Sequence, residues 1–449
     1  MTDTRSAHAV TRFGLGAKAG ELLDVRSDPL GWLNAQLEHP VIPKEVLVRV
    51  QGGLKDKPLN AFNATRNKTL GDAEKQELAR SMVNARKVYA EETGVRLLTQ
   101  LRSEQPFIER LVLFWSNHFT VSVQKGALYP IANAYEVEAI RPHVTGYFSD
   151  MLLAVCRHPA MLVYLDQARS FGPNSPFGMR RGRGLNENLA REILELHTLG
   201  VNGGYGQDDV IALAKIITGW TLKRGPKGEN LGDYQFLKTM HEPGDKILLG
   251  RRISESGEQE GIDALTMLAE HPSTARFIAT KLVRHFIADE PPAAAIDAVA
   301  KSFMASGGHL ATVMRTLIAL KDAWNTPLEK IKTSYEFAVS ALRLTGIEPT
   351  VQQAVSGLEA LNFKPFNAGS PAGYDDVAAA WAAPDAIIKR IEWGYRLAQR
   401  MPANAVPIQL AEAAYGDLLR HDTRLAIERA ASGRDGIGLL LASPEFQRR

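Results

Sequence analysis

What most restricts the fold of this chain is the spacing of its apolar residues. In segment after segment they recur every three or four positions, and almost nowhere do they alternate. Residues 69–105 carry Leu78, Met82, Val83, Val88, Val95, Leu97, Leu98 and Leu101 at helical intervals, with a break expected at Thr93-Gly94. The segments 106–122, 129–140, 144–156, 186–199 and 207–222 follow, and a further series runs from Ile262 to Leu419. Only 234–237 and 246–252, bounded by Gly232, Pro243-Gly244 and Gly250, have strand character, and they predict one small hairpin. The loops fall at 171–184, 223–232 and 363–376, which are rich in Gly, Pro, Asn and Ser. No repeat period emerges, which excludes a solenoid. The expectation is a mainly α, multi-helix globular body with one small β-hairpin near 234–252. It forms one domain over 1–449, with sub-lobes 1–222 and 258–449 joined by the loop and hairpin 223–257.

Charge narrows the partners. Fifty-three basic residues face 50 acidic ones for a net +3, too balanced for a nucleic-acid or membrane-surface protein. No stretch approaches the roughly 18 uncharged apolar residues of a membrane span. The N-terminus, MTDTRSAHAVTRFGLG, has no apolar signal core, so a soluble cytoplasmic protein is expected. Cys156 is the single cysteine, which rules out an internal disulfide. Its apolar setting, LLAVCRHP, predicts a buried inert thiol.

Chemistry-bearing residues concentrate in 184–220, GLNENLAREILELHTLGVNGGYGQDDVIALAKIITGW. On a helical wheel Leu185, Leu189, Ile193 and Leu196 form the apolar stripe. Asn188, Glu192 and Glu195 run along one flank, and Glu187 and Arg191 lie further toward solvent. His197 sits about 140° from Glu192 on a regular helix, so one ion could not bind both. Two readings stand side by side. Glu192 and Glu195 (i, i+3) could hold a divalent metal with groups from other helices, Glu192 serving as acid or base with Asn188 beside it. Alternatively, Arg191 forks between Glu187 and Glu195 and the cluster is structural. The preceding loop, with Arg180, Arg181 and Arg183 among glycines, suits phosphate, sulfate or carboxylate at a helix N-terminus, or is simply solvated.

The histidines divide in the same way. His39, His158 and His271 each precede proline, where the chain leaves one helix and enters the next, and read as capping residues. In 107–119 the wheel puts Phe107, Leu111, Phe114, Trp115 and His118 on one face, with Glu109 and Ser116 opposite. His118 is then either a satisfied core histidine or a ligand or base in a pocket lined by Asn117 and Trp115. His241 comes from the hairpin. Arg276, Thr280 and Arg284, with Lys281 near them, and Lys330 and Lys332 with Glu336 and Arg343, form either a cationic wall for an anionic substrate or a set of pairs with acids on neighbouring helices.

FWSNHFTVS (114–122), HPAMLVYLD (158–166), GLNENLAREILELHTLGVNGGY (184–205), TGW (218–220), HPSTARFIATKLVRHF (271–286) and LASPEFQ (441–447) together resemble the bacterial domain of unknown function 1800 family, from TRFGLGA (11–17) to the C-terminus. The resemblance implies a mostly helical bacterial protein, with no activity to carry over. Many such relatives are exported, and they often stand in genomes beside a second uncharacterised family, which implies a partner protein from that family. The chain departs from the family pattern at 363–381, where AGSPAGYDD replaces a Pro-rich Gly-Trp-Pro turn.

Two functions follow. One is an enzyme doing acid–base or metal-assisted hydrolysis or group transfer on a polar, anionic or sugar-like small molecule or glycan. Its pocket would be built from His118, Asn117, Asn188, Glu192, Glu195 and His241. The other is a non-catalytic binding or assembly partner whose polar network fixes helix packing.

Overall fold

The computed structural model describes residues 2–44, 72–182, 184–223, 232–325 and 327–449. Helices make up 64% of it, and the strands form two small antiparallel two-stranded sheets, so the chain is mainly α. Trp220–Leu222 pairs with Tyr234–Phe236, and Lys246–Leu248 with Arg251–Ile253. The strands expected near 234–252 are therefore present, but each takes a different partner. The Trp220 segment, which looked like the end of a helix, leaves its helix at Gly219 (φ +90°) and turns into the first ribbon. Most of the expected 223–232 loop lies outside the described residues.

The longest helix, Asp72–Arg102, runs straight through Thr93-Gly94, where a break was expected. Gly94 has a packing reason instead: a Cβ there would lie 2.8 Å from the Val351 carbonyl oxygen. Glycine lets the Val351–Ala360 helix cross at backbone distance. The His-Pro pairs cap as expected. His158 Nδ1 accepts from the Ala160 N–H and His271 Nδ1 from the Ser273 N–H, each at 3.1 Å and each just ahead of a proline-initiated helix. His39 closes the Pro29–Glu38 helix.

One connected apolar core runs from Ala7 to Phe446. At one end of it the rings of Phe13, Phe107, Phe286 and Trp324 meet at 5.5–6.0 Å. Buried ion pairs cross this core, two of them linked by Arg141 lying 3.7 Å from Glu136. Arg141 grips Glu109 at 2.6 and 3.0 Å, Arg96 grips Glu136 at 2.7–3.0 Å, and Arg110 meets Glu336 at 2.5 Å. Glu109 and Ser116, on the wheel face opposite the aromatics, are therefore not in water, and Ser116 donates to Glu136 at 2.7 Å. Cys156 is buried and free, and burial pushes its thiol up out of the reactive range. Among the described residues no helix is long and apolar enough to cross a membrane.

Candidate functional site

The helix Pro106–His118 starts at a proline and is buried on nearly every side, its Glu109 and Arg110 paired with charges from other helices, so it runs through the interior. Its last turn delivers Phe114, Asn117 and His118 to the wall of a cavity of about 300 Å³. The helix Pro272–Phe286 supplies the opposite wall. Its buried side holds Ile278, Leu282 and Phe286, and this registers Lys281, Arg284 and His285, on successive turns, toward the cavity. The first turn of Ser334–Thr345 adds Tyr335 and Glu336, and the loop 363–377 closes the space with Phe363, Tyr374 and Asp376. The Arg449 side chain reaches in from the C-terminal segment, whose backbone pairs with 330–332.

The loop is clipped in place by Asn117. Its Nδ2 donates to the Tyr374 carbonyl at 2.8 Å and its Oδ1 accepts from the Tyr374 N–H at 2.7 Å. Gly373 (φ +85°) lies against the same residue, and a Cβ on it would come within 2.4 Å of the Asn117 carbonyl oxygen. Both amide atoms of Asn117 are thus committed to the loop backbone, so it positions this wall.

That loop brings in Asp376. His285 Nδ1 lies 2.7 Å from Asp376 Oδ2, and Arg449 Nη2 lies 3.1 Å and Lys330 Nζ 3.4 Å from Oδ1. Burial alone would raise the Asp376 carboxyl, but His285, Arg449 and Lys330 outweigh it and hold the group far below the usual carboxylate range. The carboxylate is ionised, so His285 donates through Nδ1–H and its lone pair sits on Nε2. Nε2 is buried and has no hydrogen-bond partner. Burial, reinforced by Arg449 and only partly countered by Asp376, lowers the imidazolium to about 4 and keeps the ring neutral near pH 7.

His118 repeats the pattern. Its Nε2 lies 3.1 Å from the His197 carbonyl, which can only accept, so Nε2 carries the proton and Nδ1 is a lone pair, also unpartnered. Burial, together with Lys281 and His197, holds this ring well below the usual histidine range. The carbonyl is available because His197 ends its helix, a π turn over Ile193–His197, and the last carbonyls of a helix have no intrahelical donor. The sequence wheel assumed a regular helix here and missed this turn.

Between these rings stands Lys281, half-buried, with the Phe277 ring 5.5 Å from Nζ. Burial, with Arg284, lowers its ammonium to about 8, and Asp376 resists only in part. The other cations on the wall are paired: Arg96 to Glu136, Arg449 to Asp376 and Glu336, and Arg284 to the Asp289 carbonyl. Among the described residues Lys281 has no hydrogen-bonding or ion-pair partner.

Of the residues singled out in the sequence, Ser116, Asn117, His118, Lys281, Arg284 and Glu336 reach this cavity. Trp115 lies behind them in the core against Phe119 and Phe148. Glu192, Glu195 and Asn188 are elsewhere. Arg191 forks to Glu187 at 3.0 Å and Glu195 at 3.5 Å, and Asn188 is exposed. Burial and the neighbouring Glu195 raise Glu192 to about 7. Among the described residues no three His, Cys, Asp or Glu side chains gather as a metal site would require. Arg180 is exposed and donates to the Pro176 carbonyl; Arg183 and the Arg181 side chain lie outside what the structure describes.

His241 sits in a separate buried triad, its Nε2 2.9 Å from Glu260, with Lys246 2.6 Å from the other Glu260 oxygen. The expected cationic wall mostly dissolves into pairs. Arg276 meets Asp297, Lys330 meets Asp289, Arg343 meets Glu21 and Lys332 donates to the Phe446 carbonyl. Sequence reasoning missed His285, Tyr374 and Asp376, and it weighed Lys281 only as part of a cationic wall. The signal was HPSTARFIATKLVRHF itself, where a lysine and a histidine four apart share one helix side.

No curated protein and no solved structure matches this chain. A family model matches residues 8–448, essentially the whole length, and the chain therefore belongs to the family described as protein of unknown function (DUF1800).

Proposed function

We propose that the cavity between Pro106–His118, Pro272–Phe286 and the 363–377 loop binds a small polar anion and performs acid–base chemistry on it. One observation carries the reading: a histidine oriented by a half-buried carboxylate keeps a free lone pair at a cavity that also holds a lysine unpaired among the described residues. The Asp376–His285 geometry is that of a base fixed in one tautomer by a carboxylate. Lys281 supplies a positive charge that no described residue pairs with. A bound carboxylate or phosphate would supply the missing counter-charge and would raise the His285 imidazolium toward neutral pH, where proton transfer is most effective. Phe114, Phe363 and Phe366 provide apolar walls that strengthen such contacts. Glu192 and Glu195 have no part in this site, and the reaction class is hydrolysis or group transfer.

A thermal-shift screen of small carboxylates and phosphates, with Lys281→Met and His285→Gln alongside, tests this. A stabilising anion whose effect falls at least 10-fold in potency in both variants supports the site. Equal stabilisation of all three proteins removes it.

A further inference from the structure

The cavity uses arginine wherever a cation is paired and lysine where it is not. Arg96, Arg284 and Arg449 each engage a carboxylate or carbonyl, and Lys281 alone engages neither. A site that only needed positive charge would be served as well by a fourth guanidinium, which never loses its proton. Lysine differs in one chemical respect: deprotonated, it is a nucleophile. The surroundings favour that form. Nζ lies near the Phe277 face and close enough to His118 and His197 to hold both rings down, and the nearby carboxylate Asp376 is already shared among His285, Arg449 and Lys330. His285, with its free Nε2, is one helical turn along the same side of the helix.

We propose that Lys281 forms a Schiff base with a small 2-oxo acid in this cavity, a step that rests on the acid–base reading above. The Nζ lone pair attacks the carbonyl carbon and the C=O π pair moves to oxygen. His285 Nε2 takes one proton from Nζ and returns it to that oxygen, giving the carbinolamine; it then carries the second Nζ proton to the hydroxyl, which leaves as water as the C=N bond forms. Amine and carbonyl thus give imine and water, and no oxidant, reductant or further reactant is required. A carboxylate on the substrate suits the neighbouring Arg284, whose guanidinium makes one backbone bond through Nε. A cavity of about 300 Å³ accepts a compound of that size. With its ammonium lowered to about 8, roughly one lysine in ten is neutral at pH 7, against about one in several thousand for a free side chain.

The test uses the full chain with glyoxylate or pyruvate at pH 8, reduced with cyanoborohydride and read by intact mass and peptide mapping. The expected result is one adduct per chain, on Lys281, absent in Lys281→Arg. It should form at least 10-fold more slowly in His285→Gln and be unchanged in Lys389→Arg, which alters an exposed lysine. Labelling spread over surface lysines at rates that Lys281→Arg does not alter would overturn the proposal. Lactate, which has the carboxylate but no carbonyl, separates this idea from the reading beneath it. Lactate binding that needs His285, with no trapped adduct, ends the Schiff base and leaves the acid–base site standing. If lactate does not bind and nothing is trapped, both fail.

Discussion

Among the described residues two histidine–carboxylate pairs, His241–Glu260 and His285–Asp376, differ in what surrounds the second ring nitrogen. In His241–Glu260 every position is taken. His241 Nδ1 lies 2.8 Å from the Thr218 carbonyl, Nε2 meets Glu260, Lys246 meets the other carboxylate oxygen, and Glu260 also accepts from the Ser256 and Gly257 N–H groups ahead of its own helix. In His285–Asp376 one nitrogen is held and the other is free, and the pair faces a cavity with an unpaired lysine. A fully satisfied buried network fixes a packing arrangement; a partly satisfied one costs stability and has to be explained by something else, here a ligand.

The largest effect should come from breaking the closed pair. Glu260→Ala leaves Lys246 and His241 buried without a counter-charge and strips a helix start of its cap, a loss of about 3–5 kcal/mol. Urea unfolding measures it, and a loss under about 1 kcal/mol would mean that the triad is not a structural staple.

The open pair should show itself in acid. His285 titrates at about 4 in the folded chain against about 6.5 unfolded. A depressed folded value means stability that is complete above pH 6.5 and is lost as pH falls toward 4, by roughly 3 kcal/mol from this group. His197, lowered to about 3 by burial and Lys281, adds to the same loss. Unfolding free energy followed from pH 7 to 4 should therefore fall less steeply in His285→Gln, and an unchanged slope would show that the ring takes up its proton at the same pH folded as unfolded. Next in size is Gly373→Ala. Its positive φ and its contact with Asn117 predict a cost of about 1–3 kcal/mol and loss of anion binding through displacement of Asp376, with the far-ultraviolet dichroism unchanged. Retained binding would show that the loop does not shape the site.

The contrast also marks how far sequence reaches. Helical succession, the proline-adjacent caps His158 and His271, and the turn of His118 toward the aromatics depend on neighbours within a few positions, and periodicity exposes them. Asp376 stands 91 positions from His285, and Glu336 stands 226 from Arg110, so no local rule joins them. The π turn at 193–197 changes the wheel itself. The charge-rich 186–199 segment drew the eye because its residues are numerous, yet Arg191 settles two of its carboxylates within one turn on either side. Charge density in sequence is therefore a weaker guide than a single cation left without an acid in the fold.

Lys281 turns that last point into a measurable sign. A buried ammonium without a partner weakens the folded state, since its depressed value of about 8 against 10.5 unfolded penalises folding at every pH below about 10. Replacing it with methionine keeps the stem's contact with Phe277 and removes the charge. Because the side chain is only half-buried, solvent screening reduces the gain, and Lys281→Met should stabilise the chain by about 1 kcal/mol at pH 7 while abolishing anion binding. The increment should shrink as pH rises from 8 to 10.5, where the wild-type ammonium is lost from both states. A destabilised variant would mean that the lysine is an ordinary structural cation with an unrecognised partner, and the open pair would then be as closed as His241–Glu260.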